Sequence, residues 1–170
     1  MPTAFLIVLA VAAAVGVPTP PPEAGVGQSA PPLVVDTWLK GPPVGSLERG
    51  KVYLIDIWAP WCGPCLGGMA HLSELQARNR AAGLVVIGLT GPDDYGSTLE
   101  KAKKVVAQKG KTIRYAIAWD SGGKNYARWM AIDRNVGWPW AILVGRDGRI
   151  AWRGHPEKMD AALEKALAVP

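Results

Sequence analysis

Val52-Tyr53-Leu54-Ile55-Asp56-Ile57-Trp58-Ala59-Pro60-Trp61-Cys62-Gly63-Pro64-Cys65 decides how this chain is read. An apolar run comes first, then the only two cysteines of the sequence, with two residues between them. Behind them Leu66, Met69, Leu72 and Leu75 recur at helical spacing. The order is strand, tight turn, then a helix opening at the cysteines. A thiol at a helix N-terminus sits in the positive end of the macrodipole, which favours the thiolate. The thiolate is the form that attacks disulfides. Pro64 lacks an amide hydrogen, but in the first helical turn that donor has no partner anyway. The stretch therefore predicts a dithiol/disulfide pair placed to react.

Working outward, the near-continuous apolar character of Val52–Trp58 marks a central strand buried on both faces. The helix after Cys65 is expected to run to about Arg80, with Gly83 as its C′ residue. Leu84–Leu89 reads as a second buried strand. Ser97-Thr98-Leu99-Glu100 has the capping-box pattern and opens a helix to about Lys109, stopped by Gly110. Ile113–Trp119 reads as a strand and Lys124–Met130 as a short helix. Trp138-Pro139 leads into a strand, Trp140–Val144. Gly145-Arg146-Asp147-Gly148 is a hairpin turn, and Arg149–Arg153 returns antiparallel. Glu157–Ala168 is a last amphipathic helix. On the N-terminal side, Leu33–Trp38 is a candidate first strand. Alternating strands and helices followed by a hairpin and a helix make an α/β sandwich, a mixed sheet covered on both faces.

The 170 residues suffice for one domain with a substantial core plus short extensions. Two cysteines in one motif do not make a disulfide scaffold. The net charge of +5 comes without an aromatic-interleaved basic patch, so nucleic acid is not inferred. Lys101, Lys103, Lys104, Lys109, Lys111 and Arg114 read as the solvated side of a helix. Residues 4–17 are apolar throughout and too short for a membrane span, which needs about 20 residues. They suit the apolar core of a secretory signal, with an uncleaved N-terminal anchor as the alternative. Residues 18–32 carry six prolines and read as an extended linker, with the folded domain over 33–170.

Trp61-Cys62-Gly63-Pro64-Cys65 after a strand ending Trp58-Ala59 resembles the signature of the thioredoxin superfamily. Asp56, six residues before Cys62, stands where thioredoxins carry a buried acid. Pro139 heads a strand running into Gly-Arg-Asp-Gly-Arg-Ile, where the superfamily carries its cis-proline. Val26-Gly27-Gln28-Ser29-Ala30-Pro31 and Leu47–Gly50 match the preamble of the exported TlpA/ResA-like thiol-disulfide oxidoreductases, a redoxin-domain branch. So does the extra material between Cys65 and Pro139. The resemblance covers about residues 26–168. It implies a three-layer thioredoxin-like sandwich with extra N-terminal strands and a strand–helix insertion. Three positions depart from the pattern. Asp56 is the thioredoxin-like choice where the TlpA-like branch often has Asn. Ala70 stands where many relatives have a helix-kinking proline. Trp138 precedes the proline, where a smaller or β-branched residue is usual.

What the resemblance implies for chemistry is specific. Cys62, its sulfur toward solvent, is the expected nucleophile on a partner disulfide. Cys65 is expected to resolve the mixed disulfide, and Asp56 to accept the Cys65 proton. A cis Pro139 would leave the backbone of Trp138 free to pair with an extended substrate segment. Trp61, Gly63, Pro64, Trp138 and Pro139 are the expected substrate-binding surface. No cofactor beyond the Cys62–Cys65 disulfide is expected, and no metal. The implied activity is reduction of disulfides in exported proteins, apocytochrome c among them, in the periplasm or an equivalent extracytoplasmic space. Electrons would come from a membrane-bound thiol donor, and residues 4–17 would serve as a tether if uncleaved.

Each residue also has a plainer reading. The cysteines would form an inert bridge, or half a zinc site completed by His71 and His155. A copper carrier would use Cys62 and Cys65 with Met69 or His71. A peroxiredoxin-like peroxidase would share the scaffold, but its Thr-x-x-Cys pattern is absent. Asp56 would be held by backbone or lysine partners. Pro139 would be an ordinary trans proline opening a strand, and Trp58 and Trp138 would pack in the core.

Overall fold

The computed structural model describes residues 25–132 and 137–169. The apolar segment 4–17 and most of the proline-rich stretch lie outside the described residues. Six strands form one sheet in the order β1-β4-β3-β2-β5-β6. They are β1 (Thr37–Lys40), β2 (Val52–Ile57), β3 (Leu84–Thr90), β4 (Ala116–Trp119), β5 (Trp140–Val144) and β6 (Ile150–Gly154). The helices are α1 (Gly63–Asn79), α2 (Leu99–Lys109), α3 (Lys124–Met130) and α4 (Asp160–Ala168). β2, β3 and β4 are parallel, whereas β1, β5 and β6 join antiparallel, so the sheet is mixed. The parallel pairs are joined by α1 and α2, the crossovers that parallel strands require.

Strand alternation divides the interior in two. Val52, Leu54, Val86, Ile117 and Leu143 face one layer, where Cys65, Met69 and Leu72 of α1, Val105 of α2 and Leu163 of α4 pack. Tyr53, Ile55, Ile57, Ile87 and Ile142 face the other, where Tyr126 and Trp129 of α3 pack with Leu33. All six residues of β2 are buried, as a strand covered on both sides should be.

Several boundaries differ from the sequence expectation, each for a local reason. The first strand begins at Thr37 rather than Leu33, because only Thr37–Lys40 finds a partner in β4. Leu33 is instead a core residue ahead of it. β4 begins at Ala116; Ile113 and Tyr115 are buried without extending it. Thr98, not Ser97, caps α2 by accepting the Lys101 amide hydrogen. Ser97 is drawn into bonds with Asp93. Gly83 adopts φ +87 and donates to the Arg80 carbonyl, closing the turn that directly follows α1. The last helix opens as a 3₁₀ turn at Pro156–Lys158 before α4 starts. Of the expected extra N-terminal strands, β1 is the one with a ladder, and Ser29 adds a single bridge to Arg149.

The folded part also reaches further back than Leu33. Gly27 and Ala30 donate to the carbonyls of Ile150 and Gly148, and Ile150 donates to Gln28. The end of the proline-rich stretch is thus laid along the start of β6.

Candidate active site

α1 opens at its N-cap, Cys62, and its first residues are Gly63 and Pro64. The tight turn before it is closed by the Cys62 amide donating to the Ala59 carbonyl at 3.0 Å. Cys62 and Cys65 are joined as a disulfide, S–S 2.00 Å, with Cα atoms 5.3 Å apart. The Cys65 amide donates to Cys62 Sγ at 3.2 Å. That bond gives the N-cap sulfur the place a hydroxyl or carboxylate usually takes at a helix start. Any negative charge developing on Cys62 is therefore met by a backbone donor and the helix macrodipole.

The expectation of a solvent-facing Cys62 needs correction. In the disulfide form the residue is 3 % exposed, as is Cys65. Cys62 packs in the same cluster as Trp58, Ala59 and Met69, with Trp138 at its margin. The exposed lip of the site is made by its neighbours Trp61, Gly63 and Pro64.

Beneath the disulfide, Asp56 sits in β2 between Ile55 and Ile57, 2 % exposed. Alternation places it on the α1 side of the sheet with Val52 and Leu54. Its Oδ2 is buried with no hydrogen-bond partner among the described residues. Burial disfavours the carboxylate and pushes the pKa up to about 7. A carboxyl titrating near neutrality is suited to take a proton and return it.

Beside the disulfide, the Trp138–Pro139 peptide bond is cis and Pro139 is buried. Three rings gather there. Trp61 lies 5.0 Å from Trp138 and 5.2 Å from Tyr95, and Tyr95 lies 5.8 Å from Trp138, by ring centroids. Both indoles are pinned. Trp61 Nε1 donates to Asp93 Oδ2 at 2.9 Å, and Trp138 Nε1 donates to the Tyr126 hydroxyl at 2.8 Å. Asp93 also accepts the amide hydrogens of Tyr95 and Ser97 and the Ser97 hydroxyl. These bonds outweigh its partial burial and hold its pKa below the usual carboxylate range. Tyr95 and Trp61 remain exposed, so the cluster offers apolar surface next to the cysteines.

Trp58 is fully buried and belongs to the core, whereas Trp138 both packs and borders the site. Met69 is buried in the same layer as the cysteines, whereas His71 is exposed on the opposite side of α1. His155 stands at the 3₁₀ turn before α4, where its Nδ1 accepts the Glu157 amide hydrogen. No group of three or more metal-ligating His, Cys, Asp or Glu side chains gathers among the described residues.

Asp93, Tyr95 and Tyr126 were not singled out from the sequence. Gly91-Pro92-Asp93-Asp94 reads as loop, and the affinity of Asp for its own downstream amides was available as a signal. The ring contacts were not, because they join positions that only the fold brings together.

Three comparisons bear on this arrangement. Residues 25–167 match the Redoxin family. The chain is 24 % identical to Protein FixW of Rhizobium leguminosarum over 145 residues, covering 84 % of this chain and 66 % of that one. It is 27 % identical to the thiol-disulfide oxidoreductase ResA of Bacillus thuringiensis over 143 residues, covering 84 % and 76 %. Among solved structures, a thiol:disulfide interchange protein of the thioredoxin family from Chlorobium tepidum aligns with TM-score 0.64 at 21 % identity. That alignment covers 82 % of this chain and 96 % of the other, and shows the thioredoxin-like fold. With the match running from ahead of β1 into α4 and the cysteine pair at the tip of α1, the chain belongs to the Redoxin family.

Proposed function

We propose that the chain is a thiol-disulfide oxidoreductase that reduces disulfides of proteins outside the cytoplasm. The observation that carries this reading is the Cys62–Cys65 disulfide at the N-terminus of α1. In the reduced chain, the Cys62 thiolate attacks one sulfur of a partner disulfide. A Cys62–partner bond forms and the partner's other sulfur leaves as a thiolate. Cys65 gives its proton to Asp56 and attacks Cys62 Sγ, and the second partner sulfur leaves. The partner has gained two electrons and the chain has become the disulfide seen here. A thiol donor of the membrane restores the dithiol by the same exchange in reverse.

Trp61, Gly63 and Pro64 on one side and Trp138 and Pro139 on the other are the docking surface of this reading. Residues 33–170 with the Gly27–Ala30 segment laid along β6 form the catalytic domain, with 1–17 a signal or anchor and the proline-rich residues ahead of that segment the linker. A Gly-Pro pair between the cysteines suits the reducing direction, the likeness to the thiol-disulfide oxidoreductase ResA supports the exchange chemistry, and the apolar residues 4–17 support the extracytoplasmic placement.

The test is dithiol-driven reduction of insulin. The wild-type chain should turn over, Cys62→Ser should fall to the uncatalysed background, and Cys65→Ser should accumulate a mixed disulfide with its target. Absence of turnover in a chain whose disulfide is readily reduced by dithiothreitol would end the proposal. Recovery of the Cys65→Ser adducts from the extracytoplasmic fraction checks the compartment and identifies the targets.

A further inference from the structure

Two polar side chains beside Asp56 have no part in the scheme above. Gly88 lies opposite Asp56 in the β2–β3 register. A Cβ built on Gly88 would stand 3.2 Å from Trp58 Nε1 and 3.2 Å from Tyr115 Cε2. The Trp58 indole and the Tyr115 ring thus meet over the bare backbone next to Asp56. A side chain at position 88 would close that approach, since its Cβ would also fall 2.6 Å from Ile117 Cδ1. Asp56, Trp58 and Tyr115 are all buried on the α1 face of the sheet. Asp56 Oδ2, Trp58 Nε1 and the Tyr115 hydroxyl each lack a hydrogen-bond partner among the described residues. Native proteins rarely leave such atoms unpaired, and each one calls for an explanation. Here the orphans are complementary, one acceptor and two donors.

We propose that Tyr115 is a positioning residue for proton transfer: in the reduced protein its phenol donates a hydrogen bond to the Asp56 carboxylate, directly or through one water. The inference rests on the reading of Asp56 as acceptor of the Cys65 proton. During resolution the Cys65 proton moves to the Asp56 carboxylate, the Cys62–Cys65 bond forms, and the partner sulfur leaves with the electron pair of the broken bond. Tyr115 keeps its own proton throughout. Burial and the neighbouring Asp56 charge hold the phenol well above its ordinary pKa, so it acts only as a donor. Around Asp56 the α1 face of the sheet carries Gly88 and Thr90 of β3 and Ala141 of β5, with Tyr115 just ahead of β4 and Trp58 just after β2, and Cys62 and Cys65 pack in the same layer. No Lys, Arg or His is among the buried described residues. A neutral donor is therefore what this site offers the carboxylate, and it favours the charged form without locking it as a cation would.

The experiment is a ¹³C-carboxyl NMR titration of Asp56 in the reduced protein, with Asp56→Asn used to assign the resonance. Tyr115→Phe should raise the Asp56 midpoint by about half a pH unit to one unit, since the carboxylate loses a donor. The acidic limb of turnover should move up by the same amount, and not at all when Tyr115→Phe is placed in Asp56→Asn. Incorporation of 3-fluorotyrosine at position 115, a more acidic phenol on an unchanged frame, should move the midpoint down. It decides the matter if Tyr115→Phe does not fold. An unmoved midpoint in a folded variant overturns the proposal, as does an equal shift of turnover in Asp56→Asn. The titration needs no substrate, so its outcome is separate from whether the chain reduces protein disulfides.

Discussion

The aromatic roof beside Cys62 and the polar floor beneath Cys65 are built on opposite rules. In the roof, each indole N–H has a named acceptor, Asp93 for Trp61 and Tyr126 for Trp138. In the floor, Asp56 Oδ2, Trp58 Nε1 and the Tyr115 hydroxyl are buried and unpaired among the described residues. At its outer edge the roof is exposed, where water would satisfy a free Trp61 indole cheaply, yet that indole is tied down. The floor is buried, where an unpaired polar atom costs most, yet these three atoms have no partner among the described residues. A surface that meets another protein gains from being set in advance, because ordering it on contact subtracts from affinity. A group that must trade a proton gains from the reverse, because a saturated carboxylate would be fixed in its charged form.

The largest effect is expected from the floor. On the proposed mechanism, Asp56→Asn removes the proton acceptor and should slow turnover about 10²-fold or more, the scale of general base catalysis. It should also flatten the pH profile near 7, where Asp56 titrates. The same change should stabilise the fold. Asp56 titrates at about 7 when folded against an ordinary 3.8. Between those values the folded chain keeps a proton that the unfolded chain releases. Stability therefore falls as pH rises through that window, and the cost is fully present above 7. Its scale is on the order of 4 kcal/mol at pH 8, from about 1.4 kcal/mol per unit. Urea unfolding at pH 8 should find oxidised Asp56→Asn the more stable protein, with the difference shrinking toward pH 4. Equal stability at both pH values would mean that Asp56 is paired after all.

The floor was far more legible in the sequence than the roof. Asp56 announces itself as an acid inside an apolar strand, six residues ahead of Cys62, and Cys62–Cys65 by spacing and helix position. Helices α1 and α3 and strand β5 were marked by periodicity and turn residues within a residue or two of their ends. Such signals are local. What escaped is tertiary. Tyr95 gives no sign in a loop that it will stand against Trp61 and Trp138. The reach of Gly27–Ala30 along β6 is hidden because proline-rich sequence looks like linker. The burial of Cys62 escaped as well, because it sits in a cluster that Trp138, distant in sequence, packs against.

The roof should respond more mildly, and in binding rather than chemistry. Asp93→Ala strips Trp61 of its acceptor and removes the carboxylate that folds the loop onto Tyr95 and Ser97. KM for a protein disulfide should rise several-fold while kcat stays within about twofold, the pattern of lost uniform binding. A small disulfide such as dithionitrobenzoate, which needs no docking surface, should be reduced at the wild-type rate. A fall in kcat with both substrates would place Asp93 in the floor's business and erase the contrast.

The smallest effect is the most discriminating. Tyr126→Phe leaves ring, helix and packing in place and deletes only the hydroxyl that receives Trp138 Nε1–H. A neutral hydrogen bond of this kind contributes about 1 kcal/mol. Trp138 is half-buried, so water can take over part of that role. The expected stability loss is thus at most about 1 kcal/mol. If the roof is pre-set for docking, Trp138 should nonetheless gain freedom, read as a drop in its fluorescence anisotropy, and KM should rise about two- to threefold, well under 1 kcal/mol of binding. If Trp138 is held by packing alone, neither will move. In that case the bonds to Asp93 and Tyr126 are ordinary satisfaction of polar atoms, and the difference between roof and floor reduces to exposure.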